Sequence, residues 1–303
     1  MKRSLTKRDA LLLLTVFVGL AGVIGVSRLI ESERSVAIPA NTDEHLYLNG
    51  TTVKRLSLGF NGLAADWYWM RSLQYVGRKV LANGQGLQLD NLGALNLKLL
   101  PPLLDTATTL DPQFLAPYEY AAIVLPGIDV KEAIRITQKG IAANPSSWRL
   151  YQHLGYIHWQ QQDYEAARNT YREGAKLRGA PAWMQAMQAR MAAEGGSRDT
   201  AREIYQRMYE QSDDEKVKEM ARRRLLQLQS FDERDGLRRL MTAYQSQTGR
   251  CPTSWTELAP ALRALKVQLD AAGAPFDPSG VAYVMLANKC DVETGPRSEV
   301  PNN

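Results

Sequence analysis

Two patterns of apolar positions divide this chain. From Ala10 to Val26 the run "ALLLLTVFVGLAGVIGV" carries no charge, and beyond Ser27 and Arg28 it resumes to Ile30. Seventeen helical residues rise roughly 25 Å, and continuation to Ile30 with Arg28 snorkelling reaches about 31 Å, the thickness of a bilayer core. From Leu56 the pattern changes, and Leu56, Phe60, Leu63, Trp67 and Met70 recur at three- and four-residue steps. That periodicity predicts an amphipathic helix, which continues through "WYWMRSLQYVGRKV" and stops before Asn83, Gly84 and Gly86. Within it, Asp66 followed by Trp67, Tyr68 and Trp69 reads as a buried aromatic anchor. Between the two patterns, residues 31–55 are polar, contain Pro39, Asn41, Asn49 and Gly50, and read as a linker with room for a short strand.

Beyond residue 114 small residues return at a fixed interval. Ala133, Ala167 and Ala201 lie 34 residues apart, as do Ala121, Gly155 and Ala189, and the series Thr137, Tyr171, Tyr205 keeps the same step. Such a period predicts stacked helical hairpins whose backbones approach at Ala or Gly, with the aromatic filling the next gap. Residues 148–181, with Tyr151, Leu154, Gly155, Tyr164, Ala167 and Tyr171, resemble the tetratricopeptide repeat family. Residues 114–147 keep Ala121, Ala133, Gly140 and Pro145 but place Pro117 where the family has an aromatic, and Pro126 shortens their first helix. Residues 182–215 keep Ala189, Ala201 and Tyr205, with Gln185 and Gln188 at positions that are usually apolar. Upstream, "LLPPLLDTATTLDPQ" ends in Asp111-Pro112, the punctuation repeated at Asn144-Pro145, and its expected partner is the Trp67 helix, a degenerate unit over residues 56–113.

After the array of residues 114–215, Asp213 and Asp214 are set to cap two further helices over residues 216–248, "EKVKEMARRRLLQLQ" and "GLRRLMTAYQSQTG". The second carries the stripe Leu237, Leu240, Met241, Tyr244 and stops at Gly249. Residues 249–303 then depart from the repeat, with a turn and short helix in "GRCPTSWTELAPALRAL" and a turn into a strand in "FDPSGVAYVML". Tyr244, Gly249, Pro252, Leu258, Asp277, Pro278, Gly280 and Tyr283 resemble a pattern of the soluble part of major pseudopilins and of the tails of some bacterial repeat proteins, although no prepilin leader is present. The expected fold is therefore all-α: an α-α superhelical array of tetratricopeptide type, one N-terminal transmembrane helix in residues 1–30, and a small α+β C-terminal subdomain.

Charge changes this picture at the N-terminus. The net charge is +5, from 37 Lys and Arg against 32 Asp and Glu, and Lys2, Arg3, Lys7 and Arg8 supply four of the cations. No basic stripe interleaved with aromatics follows, so nucleic acid is not an expected partner, and Arg222, Arg223 and Arg224 read as a solvated helix flank. A positive flank before an apolar run keeps that flank in the cytoplasm, so residues 10–30 read as a signal anchor of the inner membrane with residues 31–303 extracytoplasmic. The rival is a cleaved signal peptide, with Gly25-Val26-Ser27 as the processing site. Outside the cytoplasm the two cysteines, Cys251 and Cys290, are expected to form a disulfide, with two independent buried thiols as the alternative.

Little in the sequence points to catalysis. His153 and His158 stand about 140° apart on a helix, His45 lies in the linker, and no phosphate-cradling glycine loop or nucleophile elbow is present. Asp66, Glu119 and Glu165 sit among ordinary surface residues. The expectation is no enzyme, metal or cofactor. The family resemblance implies instead a scaffold that binds another protein or peptide segment, or assembles an envelope complex, through the first helices of successive hairpins. Carried onto this sequence, that face holds Tyr118, Arg149, Gln152, Tyr156, Trp159, Trp183 and Arg190, with packing between repeats as the alternative role for Tyr156 and Trp159. Two other readings stay open: a structural component of a pilus or secretion machine, and a soluble secreted enzyme or binding protein released after signal cleavage.

Overall fold

The computed structural model describes residues 16–22, 24–25, 28, 48–82 and 89–301. Most of the expected span Ala10–Ile30 thus lies outside the described residues. Its described part is helical, with Phe17 and Ile24 exposed. Among the described residues no helix is long and apolar enough to cross a membrane. The chain divides by contacts at Asn49 and Gly50. The second unit is mostly helical, with α1 (Gly50–Leu56), α2 (Asn61–Ala82), α3 (Leu100–Leu110), α4 (Leu115–Val124), α5 (Val130–Ala143), α6 (Trp148–Gln160), α7 (Tyr164–Ala175), α8 (Trp183–Glu194), α9 (Arg198–Gln211), α10 (Glu215–Thr248) and α11 (Trp255–Ala264). A two-stranded antiparallel sheet, β1 (Val284–Leu286) and β2 (Asp291–Glu293), pairs Met285 with Val292.

Local chemistry sets these boundaries. Asp129, Asp163 and Asp214 cap α5, α7 and α10, each carboxylate accepting from amides of the first turn at 2.8 to 3.1 Å. Pro126 ends α4 at Val124, the shortening expected from the sequence, and a single 3₁₀ turn, Leu125–Gly127, follows. Gly249, with φ of 79°, is the left-handed stop of α10.

Short connections from α4 to α9 fold each helix back on its predecessor, and small residues decide where they meet. The 34-residue series Ala133, Ala167, Ala201 and the pair Ala121, Ala189 are fully buried, and Thr137, Tyr171 and Tyr205 are buried beside them. Gly140 admits the ring of Tyr118: a Cβ there would stand 2.8 Å from Cδ1. Across α3 and α5 the contact is polar, because Lys139 donates to the backbone and side-chain oxygens of Asp105 and to the hydroxyls of Thr108 and Thr109, at 2.6 to 3.0 Å. Arg135 reaches the same carboxylate at 2.9 Å.

Three sequence expectations are corrected here. Residues 50–55, assigned to a polar linker with room for a strand, begin α1, which packs on α3. The two helices expected over residues 216–248 are one, since α10 runs unbroken through Gly236, which meets only the far end of Arg239 near its Cα. The stripe Phe60, Leu63, Trp67, Met70 faces outward, and α2 buries Ala65, Tyr68, Ser72 and Tyr75 instead. The polar members of that buried face find internal acceptors: Ser72 donates to the carbonyl of Trp69 at 2.7 Å, and Tyr75 to that of Asn96 at 3.3 Å. Of the aromatic triplet, Tyr68 is buried and Trp69 packs edge-on against Tyr120 and Phe114, while Trp67 is exposed.

The C-terminal segment makes its own core from Leu237 and Met241 of α10, Trp255, Leu258 and Leu262 of α11, and Tyr283 and Val292. Cys251 and Cys290 are joined in a disulfide across it, with Cα atoms 5.6 Å apart. Asp277 organises the turn before β1. One carboxylate oxygen accepts from the amides of Ser279 and Val281 and from the Ser279 hydroxyl at 2.7 to 3.0 Å, and the other accepts from Ser298. Tyr283 then ties this turn to α10 through Ser230 and Glu233.

Candidate partner-binding face

The residues nominated on α6 share one helix face, because Arg149, Gln152, Tyr156 and Trp159 follow three- and four-residue steps. Leu150, Leu154, Gly155 and Ile157 turn inward and are buried, which leaves Arg149 and Tyr156 exposed and Gln152 and Trp159 half-buried. On α8, Met184, Ala189, Met191 and Ala192 are buried, and Trp183 and Arg190 are exposed.

Two clusters join these helices. At one end the rings of Trp148 and Trp183 meet edge-on at 6.1 Å, and the Arg149 guanidinium lies 5.0 Å over Trp148. At the other end Tyr156 meets Trp159 edge-on at 5.6 Å, Arg190 lies 4.8 Å over the Trp159 ring, and Glu194 accepts from Trp159 Nε1 at 2.7 Å and from Arg190 Nε at 2.6 Å. Glu194 thereby neutralises Arg190 and fixes the indole. Beneath this cluster lies Tyr171, whose hydroxyl burial pushes up to about 12, with Tyr156 adding to the rise and Arg190 opposing it.

Tyr118 does not belong to the face and is corrected to a core residue. It is fully buried, its ring fills the gap over Gly140, and its hydroxyl donates to the carbonyl of Thr108 at 3.3 Å. Pro117, standing where an aromatic is usual, lies beside it in the same buried turn. Sequence reasoning passed over Trp148 and Glu194. The four-residue step from Arg190 to Glu194 was the available signal for the second, since that spacing pairs opposite charges on a helix.

A separate cleft of about 520 Å³ opens on the other side of α8, where Gln185 and Gln188 face Arg172, Lys176, Arg207 and Gln211. It shares no lining residue with the aromatic face. Neither surface assembles a nucleophile with a base, and among the described residues no group of three or more His, Cys, Asp or Glu is arranged to hold a metal. What the α6 and α8 face offers is flat aromatic area, one uncompensated guanidinium at Arg149 and amides, which is the chemistry of recognition. Compared with known proteins, the chain matches no family model and no curated sequence.

Proposed function

We propose that this chain is a membrane-anchored, extracytoplasmic scaffold of tetratricopeptide type, and that the outward face of α6 and α8 binds an extended segment of another protein in an envelope complex. The observation that carries this reading is the division of labour along the repeat. The positions 34 residues apart are small or aromatic and buried, while Arg149, Tyr156, Trp183 and Arg190 on alternate helices stay exposed. Aromatic rings held by edge contacts and a fixed guanidinium lose little freedom on binding, and each such anchor contributes roughly 2 kcal/mol or more. The positive residues ahead of Ala10 and the apolar run behind them support the anchor. The Cys251–Cys290 bridge suits an oxidising compartment.

The test substitutes Arg149→Ala together with Tyr156→Ala in the full chain, followed by crosslinking in native membranes and identification of the captured proteins. Loss of one specific partner with an unchanged melting temperature supports the reading. Unchanged capture with a lowered melting temperature assigns those side chains to packing and overturns it.

A further inference from the structure

The outward stripe of α2 has no role in the fold or in the face just described. Phe60, Leu63, Trp67, Met70 and Leu81 line one side of that helix, Leu56 and Leu58 extend the stripe past the end of α1, and each is more than half exposed. At 3.6 residues per turn, the residues that α2 does bury lie on roughly the opposite side. The helix has thus met its core with one face and shows solvent a second, apolar from Phe60 to Met70 and resumed at Leu81 beyond Gln74, Gly77 and Arg78, which soluble surfaces rarely carry without an occupant.

Charge identifies the occupant. Residues 50–82 hold five cations, Lys54, Arg55, Arg71, Arg78 and Lys79, against the single carboxylate Asp66. Outside this segment and the first eight residues, carboxylates outnumber cations. The Arg71 guanidinium lies 5.2 Å over the Trp67 ring, at the border of the stripe. Aromatic and aliphatic side chains on one face with Arg71 and Arg78 at its edge match the boundary between lipid headgroups and acyl chains, while Lys79 lies over the buried Tyr75 ring on the other side. A second copy fits poorly, because a two-fold contact through this face would bring the same excess of cations together from both sides. Length permits the lipid contact as well: from Ile30 to Gly50 an extended chain reaches roughly 65 Å, far more than the stripe needs to return to the bilayer.

We propose that α1 and α2 lie in the surface of an anionic lipid bilayer, with Leu63, Trp67 and Met70 at the depth of the upper acyl chains and Arg71 and Arg78 at the phosphates. The proposal rests on the reading of the chain as a membrane-associated protein, and the anchor at Ala10–Ile30 is tested separately from it. The contact fixes the orientation of the helical array on the membrane, as an attachment of its own beside the N-terminal anchor.

The test uses the full chain carrying Leu63→Cys labelled with an environment-sensitive fluorophore. Cys251 and Cys290 are bridged and do not compete for the label. The protein is reconstituted by detergent removal into vesicles of phosphatidylcholine and phosphatidylglycerol, with and without spin-labelled lipid, beside a control label at the exposed Gln206→Cys of α9. The expected result is blue-shifted emission at position 63, quenched by spin-labelled lipid several-fold more than at position 206. Alkaline carbonate washing reports separately on the anchor. A chain that resists carbonate while position 63 stays unquenched keeps the anchor and overturns the proposal. Quenching at 63 in a chain that carbonate strips off supports the proposal and removes the anchor. Blue-shifted emission that lipid quenchers leave untouched assigns the stripe to protein, a second copy or another part of the chain, and overturns the proposal, as does a label neither shifted nor quenched.

Discussion

The ring of Tyr171 lies against the backbone of Gly155, so closely that a Cβ on the glycine would stand 2.8 Å from Cε2 and 2.9 Å from Cζ. Tyr171 is buried and cannot swing away, so an added methyl group forces α6 and α7 apart. Gly155→Ala gains about 1 kcal/mol of helix propensity but overpacks the hairpin at a cost of about 1–3 kcal/mol. A lower melting temperature by circular dichroism is expected. Gly236→Ala in α10 is the matched contrast, because only the far end of Arg239 lies within 4 Å of its Cβ position. There the propensity gain stands alone, and the melt rises by roughly 2–4 °C. The same sign for both substitutions contradicts the close approach.

The disulfide closes a chain segment with a sequence separation of 39. In the chain-entropy treatment that constraint stabilises the C-terminal core by about 4 kcal/mol. Intact-mass measurement after alkylation without reductant is expected to show no modified thiol in protein made in an oxidising compartment. After reduction, two alkylated cysteines and an earlier loss of the near-ultraviolet signal of Trp255 should appear. Two free thiols before reduction refute the bridge.

Acid should loosen the same region through Asp277. Burial pushes its carboxyl up, but the hydroxyls of Ser298 and Ser279 and the amides of Val281 and Ser279 outweigh that and hold it below its ordinary value of 3.8. With the folded value below the unfolded one, the stabilisation is complete above pH 3.8 and is lost as pH falls through that value towards the folded pKa. Asp277→Asn, which removes the anion that four donors address, costs about 1–3 kcal/mol near neutrality and flattens this acid loss. Chemical denaturation at pH 7 and below pH 4 measures both effects. An unchanged acid limb in the variant would falsify the assignment.

Lys139 makes a different kind of joint. Its ammonium has three protons for four oxygens of α3, and burial lowers its pKa against the opposing pull of Asp105. Asp105 is itself held below the usual carboxylate range, the pull of Lys139 and Arg135 exceeding the effect of burial. Lys139→Met leaves the half-buried carboxylate with Arg135 alone and should destabilise by about 1–3 kcal/mol. Arg135→Gln removes a more exposed partner and should cost under about 1 kcal/mol. Urea midpoints that rank the two in the reverse order would show that Arg135 carries the joint.

What the sequence revealed and what it hid follow from one physical limit. The spacing of Ala133, Ala167 and Ala201 was legible because only small residues let two backbones approach, so their recurrence marks a crossing whatever surrounds it. Caps at Asp214 and Gly249, the break at Pro126 and the pairing of two lone cysteines are equally local. Periodicity, by contrast, shows that a helix has an apolar face without showing what that face meets. In α2 the inward face is Ala65, Tyr68, Ser72 and Tyr75, less hydrophobic than the stripe it opposes. The Ser72 and Tyr75 hydroxyls of that face donate to the backbone of the same helix and of the segment before α3. Tyr118 was misplaced for a related reason. Its position on the first helix of a hairpin suits a binding face, and the gap over Gly140 that it fills exists only in the packed array.

Tyr156 and Trp159, neighbours on one helix face, should separate cleanly into binding and packing. Trp159 is half-buried against the cluster of Ala167, Tyr171, Met184 and Met191, and it holds Arg190 by its ring and Glu194 by its indole nitrogen. Tyr156 is 45% exposed, with one edge contact to Trp159 and one hydrogen bond from Gln160 at 3.1 Å. Trp159→Ala therefore opens a cavity between α6 and α8 and strips Glu194 of one donor, a loss of about 2–3 kcal/mol. Tyr156→Ala should stay within about 0.5–1 kcal/mol, as exposed positions do. Thermal melts of the two variants should then differ by several degrees. Equal losses would place Tyr156 in the core beside Trp159 and leave Arg149 and Trp183 as the exposed anchors of the face, whereas a silent Tyr156→Ala that still abolishes partner capture fixes its side chain as a contact to the bound segment.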